Sequence, residues 1–166
     1  MHAFIATLAA GLLATGASLA AELDMPRGPV VLTVSGQIEN TNGDGVAQFD
    51  MEMLNDISGR STTTSTPWYD EARTFTGPLG WALMNVVGAE GTNLRVTAIN
   101  DYVTEIPISD FKDYPVILAT ELNGAPMSVR DKGPIFIIYP FDEAPELNNE
   151  TYYSRSAWQV KSIEVN

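Results

Sequence analysis

Met127-Ser128-Val129-Arg130-Asp131-Lys132-Gly133-Pro134-Ile135-Phe136-Ile137-Ile138-Tyr139-Pro140 is the stretch on which the reading of this chain turns. Its first half gathers a guanidinium, a carboxylate, an ammonium and a Gly-Pro step. Its second half is a continuous apolar run, the pattern of a buried central strand. Loops held between such strands are where ligand sites are commonly built, because a rigid core positions their polar groups. A second segment of this kind is Asn100-Asp101-Tyr102, which interrupts a strand pattern over residues 94–99 before it resumes around 102–106.

Working outward, residues 30–38 alternate Val30, Leu32, Val34 with Val31, Thr33, Ser35, the period of a strand. Asn40-Thr41-Asn42-Gly43-Asp44-Gly45 reads as a hairpin turn; it lacks the later bidentate Glu of a calcium loop. Asp50 caps a short helix over 51–57 with Met53, Leu54 and Ile57 inward, and Gly59 stops it. Residues 61–66 are β-prone Ser and Thr, running into Pro67-Trp68-Tyr69-Asp70-Glu71, a loop with two large rings. A second helix starts at Pro78, keeps Leu79, Leu83, Val86 and Val87 together, and ends at Gly88. Ser109 caps a single turn through Phe111. Val116-Ile117-Leu118-Ala119 is another buried strand, Asn123-Gly124 a tight turn, and residues 158–165 a last strand. With no repeats and no linker, the fold class is α+β: a single β-dominated mixed domain over 30–166 with a few short helices, preceded by a flexible tether at 21–29.

Residues 1–20 read as a signal peptide, apolar and rich in Ala and Leu, with Ser18-Leu19-Ala20 as a small-x-small cleavage site. The apolar run is at the short limit for a bilayer span, and no later segment is long enough, so an exported protein cleaved near Ala20 is expected. The net charge of −12, from 21 acids and 9 bases, repels nucleic acid and anionic lipid. With no cysteine, the chain has no disulfide, thiol nucleophile or thiolate metal site. Its one histidine, His2, leaves with the signal, which removes imidazole bases and ligands as well.

Paired carboxylates exist at Asp142/Glu143 and Asp70/Glu71, and adjacent acids on an acidic surface read as solvated loops rather than a glycosidase pair. What remains is recognition chemistry. Trp68, Tyr69, Tyr102, Tyr139, Tyr152, Tyr153 and Trp158 offer faces for a flat heterocycle, and Asn100, Asp101, Arg130, Asp131 and Lys132 offer directional hydrogen bonds. From the residues alone, the alternative stands open that Tyr139 and Trp158 are core rings and that Arg130-Asp131-Lys132 is a solvated turn.

Several motifs, in order, resemble the molybdopterin-binding oxidoreductase domain of sulfite oxidase and its relatives. Gly77-Pro78-Leu79 with Val86-Val87-Gly88 is similar to the family's Gly-x-x-Leu helix, and Asn100-Asp101-Tyr102 to its Asp-Gly-Tyr region. Leu118-Ala119 through Asn123-Gly124 to Met127 is similar to its Leu-Ala-x-x-x-Asn-Gly-x-x-Leu stretch. Lys132-Gly133-Pro134 stands where a Gly-x-Pro precedes an apolar strand, and Trp158 to Ile163 resembles the final strand. The match covers residues 30–165.

The resemblance implies a sulfite oxidase-like fold and a pterin or molybdopterin ligand. The family's molybdenum-ligating cysteine is absent from residues 61–68, so no metal is expected. The chain looks like a cysteine-less periplasmic subgroup whose members bind a pterin and relay its status to a membrane-bound diguanylate cyclase or phosphodiesterase, or to a sensor kinase. The cofactor-binding residues this implies are Trp68, Asn100, Asp101, Tyr102, Arg130, Lys132 and Gly133. Trp68 or Tyr102 would stack the bicycle, Asp101 and Asn100 would take its amino fork, and Arg130 with the backbone near Gly133 would reach O4 and N5. Arg130 and Lys132 are alternatively placed for a molybdopterin phosphate. The competing functions are a molybdopterin-dependent oxidoreductase and a ligand-free protein-interaction module.

Overall fold

The computed structural model describes residues 23–166; the signal segment over 1–20 lies outside the described residues. In chain order the strands are β1 (Leu32–Gly36), β2 (Ala47–Phe49), β3 (Gly59–Thr66), β4 (Tyr69–Pro78), β5 (Asn93–Ala98), β6 (Val103–Pro107), β7 (Ile117–Ala119), β8 (Glu121–Leu122), β9 (Ala125–Pro126), β10 (Phe136–Ile138) and β11 (Val160–Val165). The helices are α1 (Met51–Asp56), α2 (Gly80–Val87), α3 (Ile108–Asp113) and α4 (Glu150–Arg155). Among the described residues, no helix is long and apolar enough to cross a membrane.

Three sheets organise the described residues. A five-stranded sheet runs β2-β1-β11-β5-β6, with β1 and β11 parallel and the other pairs antiparallel. A four-stranded antiparallel sheet runs β3-β4-β8-β9, and β7 and β10 form a two-stranded antiparallel ladder, with single bridges from Ile117 to Leu79 and from Phe136 to Trp158. The apolar runs expected to be central strands are fully buried but form this two-stranded ladder rather than the middle of a sheet. The ladder divides two apolar cores. Leu118, Ile135, Ile137 and Tyr139 face the larger one, under the five-stranded sheet. Ile117, Ala119, Phe136 and Ile138 face a smaller one with Phe75 and Met127. A strand with core on both sides has no solvent face, which is why its sequence shows no alternation.

Local chemistry accounts for the helix ends. Asp50 caps α1, its Oδ1 accepting from the Met53 N–H at 2.9 Å. The same carboxylate reaches back into the tether segment, where the N–H groups of Arg27 and Gly28 donate to Oδ2 at 2.7 and 2.8 Å. These bonds hold its pKa below the usual carboxylate range, the Met53 N–H contributing most. The second helix begins at Gly80, not Pro78. Pro78 is the last residue of β4, opposite Gly59, where a residue without an N–H costs the ladder little. Gly88 does end it, in the left-handed conformation (φ 61°) expected of a C′ residue. The third helix runs Ile108–Asp113 with Ser109 inside it, and Pro107, not Ser109, precedes its first turn.

The reading of residues 67–71 as a loop is corrected. Thr66 pairs with Tyr69, so Pro67-Trp68 is the turn, and Tyr69-Asp70-Glu71 already belong to the ten-residue strand β4. The outer part of that hairpin is exposed, which leaves it no apolar alternation to detect. Ser61–Thr76 and Thr63–Thr74 hydroxyl pairs at 2.7 and 2.8 Å link its two strands. The carboxylates Asp142 and Glu143 are loop residues, as expected, and they guard the free edge of β3. Asp142 Oδ2 accepts from the Ser65 N–H and hydroxyl at 2.8 and 3.1 Å, and Glu143 pairs with Arg60. Charged groups laid over an exposed strand edge oppose pairing with another chain.

Candidate functional site

A cavity of about 310 Å³ opens between the Pro67-Trp68 turn, the loop before β6, helix α4 and the residues leading into β11. That volume is at the lower end for small-molecule sites. Four rings line it: Trp68, Tyr102, Tyr153 and Trp158. Its polar side chains are Asn100, Glu150, Ser154 and Ser156.

Each wall has a local cause. Trp68 lies where the two cores meet and packs edge-on to Phe136, Phe141, Tyr153 and Trp158, with centroids 5.4 to 6.5 Å apart. Such edge-to-face contacts fix the indole plane. The loop carrying Asn100 and Tyr102 is shaped by Asp101 at φ 64° and by an Asx turn, in which the Tyr102 N–H donates to Asn100 Oδ1 at 3.2 Å. Tyr102 then donates its hydroxyl to the Ser154 carbonyl at 2.8 Å, fastening the loop to α4.

Helix α4, absent from the sequence reading, supplies Glu150, Tyr153 and Ser154. Its signal was Asn149, whose side chain accepts from the Thr151 N–H at 3.0 Å; six residues carry too little periodicity to register otherwise. At its other end, Arg155 donates to Asp110 Oδ2 at 2.9 Å, and the buried Tyr139 donates to the same oxygen at 2.8 Å. Burial, then the Asp110 charge, pushes the Tyr139 phenol well above its ordinary range, so it stays a donor. The site therefore rests on a charged network beneath its helix.

The residues named from sequence divide. Trp68, Asn100 and Tyr102 share the cavity. Lys132 adjoins it: its ammonium lies 4.9 Å from the Trp158 ring centroid and 5.7 Å from that of Tyr69, a cation–π arrangement. Asp101 is exposed and turned to Lys161, whose ammonium donates to its Oδ1 at 2.7 Å. That hydrogen bond, followed by the lysine's charge, lowers the Asp101 pKa. Arg130 is exposed on the 3-10 turn Val129–Asp131 and does not line the cavity. Gly133 is buried and serves packing: a Cβ there would lie 2.1 Å from the Met127 carbonyl oxygen. The carboxylate at the cavity is Glu150, which nothing in its sequence surroundings distinguished from the chain's other acids. Tyr139 is a core ring, while Trp158 lines the cavity and also packs on Phe136.

No family model and no curated protein matches the sequence. Among solved structures, the chain is similar to the sulfane dehydrogenase SoxCD from Paracoccus pantotrophus, with a TM-score of 0.60 and 17% identity. The fold is sulfite oxidase-like. The likeness covers 81% of this chain and 37% of the SoxCD chain, so this domain corresponds to a minor part of that protein.

Proposed function

We propose that this protein is an exported, periplasmic pterin-binding protein, a ligand-sensing partner of a membrane-bound signalling protein. The observation that carries the reading is the cavity itself: four rings and a few polar groups enclose a space suited to one flat heterocycle. Trp68 and Tyr102 offer the stacking faces, a contact worth about 1 kcal/mol beyond burial. Glu150 is the carboxylate available to the ligand's 2-amino and N3–H donors, and the Asn100 amide can donate to its acceptors. The pterin that the sequence resemblance implies fits the residues present.

A protein-ligated molybdenum does not fit them. The sequence contains no cysteine, and the described residues contain no cluster of three or more His, Cys, Asp or Glu able to hold a metal. The likeness to a dehydrogenase favours a second reading, a molybdopterin-dependent oxidoreductase in which the cofactor alone would hold its metal. On the leading reading, the sensor's partner is the periplasmic domain of a membrane diguanylate cyclase or phosphodiesterase, or of a sensor kinase.

The experiment is to purify the protein from its native periplasm, release bound small molecules, and assay pterin fluorescence and molybdenum in the same sample. Pterin without molybdenum supports the sensor. Molybdenum with pterin moves the function to redox chemistry, and neither together with no affinity for added pterin leaves a protein-interaction module.

A further inference from the structure

We propose that the Asn123-Gly124 turn is a site of spontaneous covalent modification, deamidation through a cyclic imide, and that the fold protects the chain's other Asn-Gly step, Asn42-Gly43, from the same reaction. The inference is independent of the pterin reading. Glycine leaves the following backbone nitrogen least hindered for attack on an asparagine side chain, and these are the two places where the sequence supplies it. Neither glycine is crowded: a Cβ built on Gly43 or on Gly124 would have nothing within 4 Å. What separates the two steps is the state of the asparagine.

Asn42 is 7% exposed, and its carboxamide is fully committed. Its Nδ2 donates to the Asp24 and Gln48 carbonyls, both at 2.8 Å, and its Oδ1 accepts from the Gln48 N–H at 2.8 Å. The side chain cannot turn toward Gly43 until these bonds break. Asn123 is exposed at the tip of the β8–β9 hairpin, with φ 50° followed by φ 78° at Gly124. Among the described residues, no hydrogen bond holds its Nδ2, the leaving group, and the Gly124 N–H donates to none. Its Oδ1 accepts from the Thr74 N–H at 3.1 Å, a donor placed on the oxygen where negative charge develops as the nitrogen adds.

The step needs no reagent other than water. The Gly124 nitrogen bonds to the Asn123 Cγ, the Cγ–Nδ2 bond breaks, and Nδ2 leaves as ammonia with the proton from the Gly124 N–H. Water then opens the imide at either carbonyl, giving aspartate or isoaspartate. Aspartate keeps an acceptor for Thr74 and adds a negative charge to an already acidic surface. Isoaspartate adds a methylene to the backbone inside a two-residue loop. That disrupts the pairing of Leu122 with Ala125 and the Asn123 N–H bond to the Thr74 carbonyl at 2.7 Å.

The test is peptide mapping by mass spectrometry of the purified protein, aged at mildly alkaline pH both folded and in guanidinium chloride. Mass is the readout because Asp44-Gly45 forms the same kind of imide with no amide to lose. In the folded protein the amide-to-acid mass shift should appear at Asn123 at least about tenfold faster than at Asn42, the factor that about 1.4 kcal/mol of local opening supplies. In denaturant the two rates should agree within about twofold, since both are then Asn-Gly steps in an open chain. Equal rates in the folded protein overturn the proposal. So does an unconverted Asn123 after the time in which the denatured chain converts it, or a tenfold difference that persists in denaturant.

Discussion

Arg155, the last residue of α4, donates to Asp110 Oδ2 on α3 at 2.9 Å, and this pair anchors the helix that walls the candidate site. The Asp110 side chain is 9% exposed and that of Arg155 21%, so neither charge is fully hydrated. A second donor, the Tyr139 hydroxyl, reaches the same carboxylate oxygen at 2.8 Å. The arrangement ties the helix that walls the cavity to a buried charged network.

Removing the acid leaves a guanidinium without its counter-charge and a buried phenol without its acceptor. Asp110→Ala should therefore cost about 3 kcal/mol, within the range for breaking one side of a buried pair. Urea unfolding measures this. Pterin affinity should fall with it, because Glu150 and Tyr153 lose their support, and an unchanged affinity would uncouple α4 from the network.

The phenol also sets an alkaline limit. Its pKa is raised in the folded state, so the folded protein holds a proton that the unfolded chain releases near pH 10. The stabilisation is complete below about pH 10 and declines as pH rises above it. Tyr139→Phe should lose about 1 kcal/mol at pH 8 through the missing hydrogen bond. Its stability should then fall less steeply than wild type between pH 10 and 11. Parallel curves for the two proteins would show that Tyr139 does not govern this limb.

Asp50 gives the opposite sign. Its pKa is lowered by the N–H groups of Met53, Gly28 and Arg27, so its contribution is present above the unfolded value near 4 and lost as pH falls through the folded one. Asp50→Asn keeps a capping oxygen but cannot titrate. Its thermal midpoint should be less pH-dependent than wild type between pH 4.5 and 2.5, with equal slopes as the contrary result.

Trp68 lines the cavity and is a structural ring at once. Trp68→Ala opens a space between the two cores and should cost about 3 kcal/mol, so lost binding in that variant would not by itself report on stacking. Trp68→Phe keeps an aromatic face and should retain measurable pterin affinity with a smaller stability loss. Asp101→Asn, which tolerates the φ of 64° at this position, should leave both the melting midpoint and pterin binding unchanged, because the carboxylate is exposed on Lys161. A binding defect in Asp101→Asn would bring that residue back into the site.

The sequence by itself determined the elements whose causes are local. Asp50 caps its helix, Gly88 ends the next, Asn123-Gly124 turns the β8–β9 hairpin, and the apolar runs ending at Ala119 and Tyr139 are buried, because each rests on neighbouring residues alone. It also placed Trp68, Asn100 and Tyr102 among the candidates that line the cavity. Only the tertiary structure decided which acid faces the cavity. Asp101 and Glu150 are both exposed acids in the sequence, and what separates them is that Lys161, 60 residues away, draws one outward while Asp110 anchors the helix bearing the other. The same is true of the two apolar runs, which the pattern could mark as buried but could not assign to a two-stranded ladder between two cores. Pairing across such distances depends on the packing of the whole chain, and no local pattern encodes it.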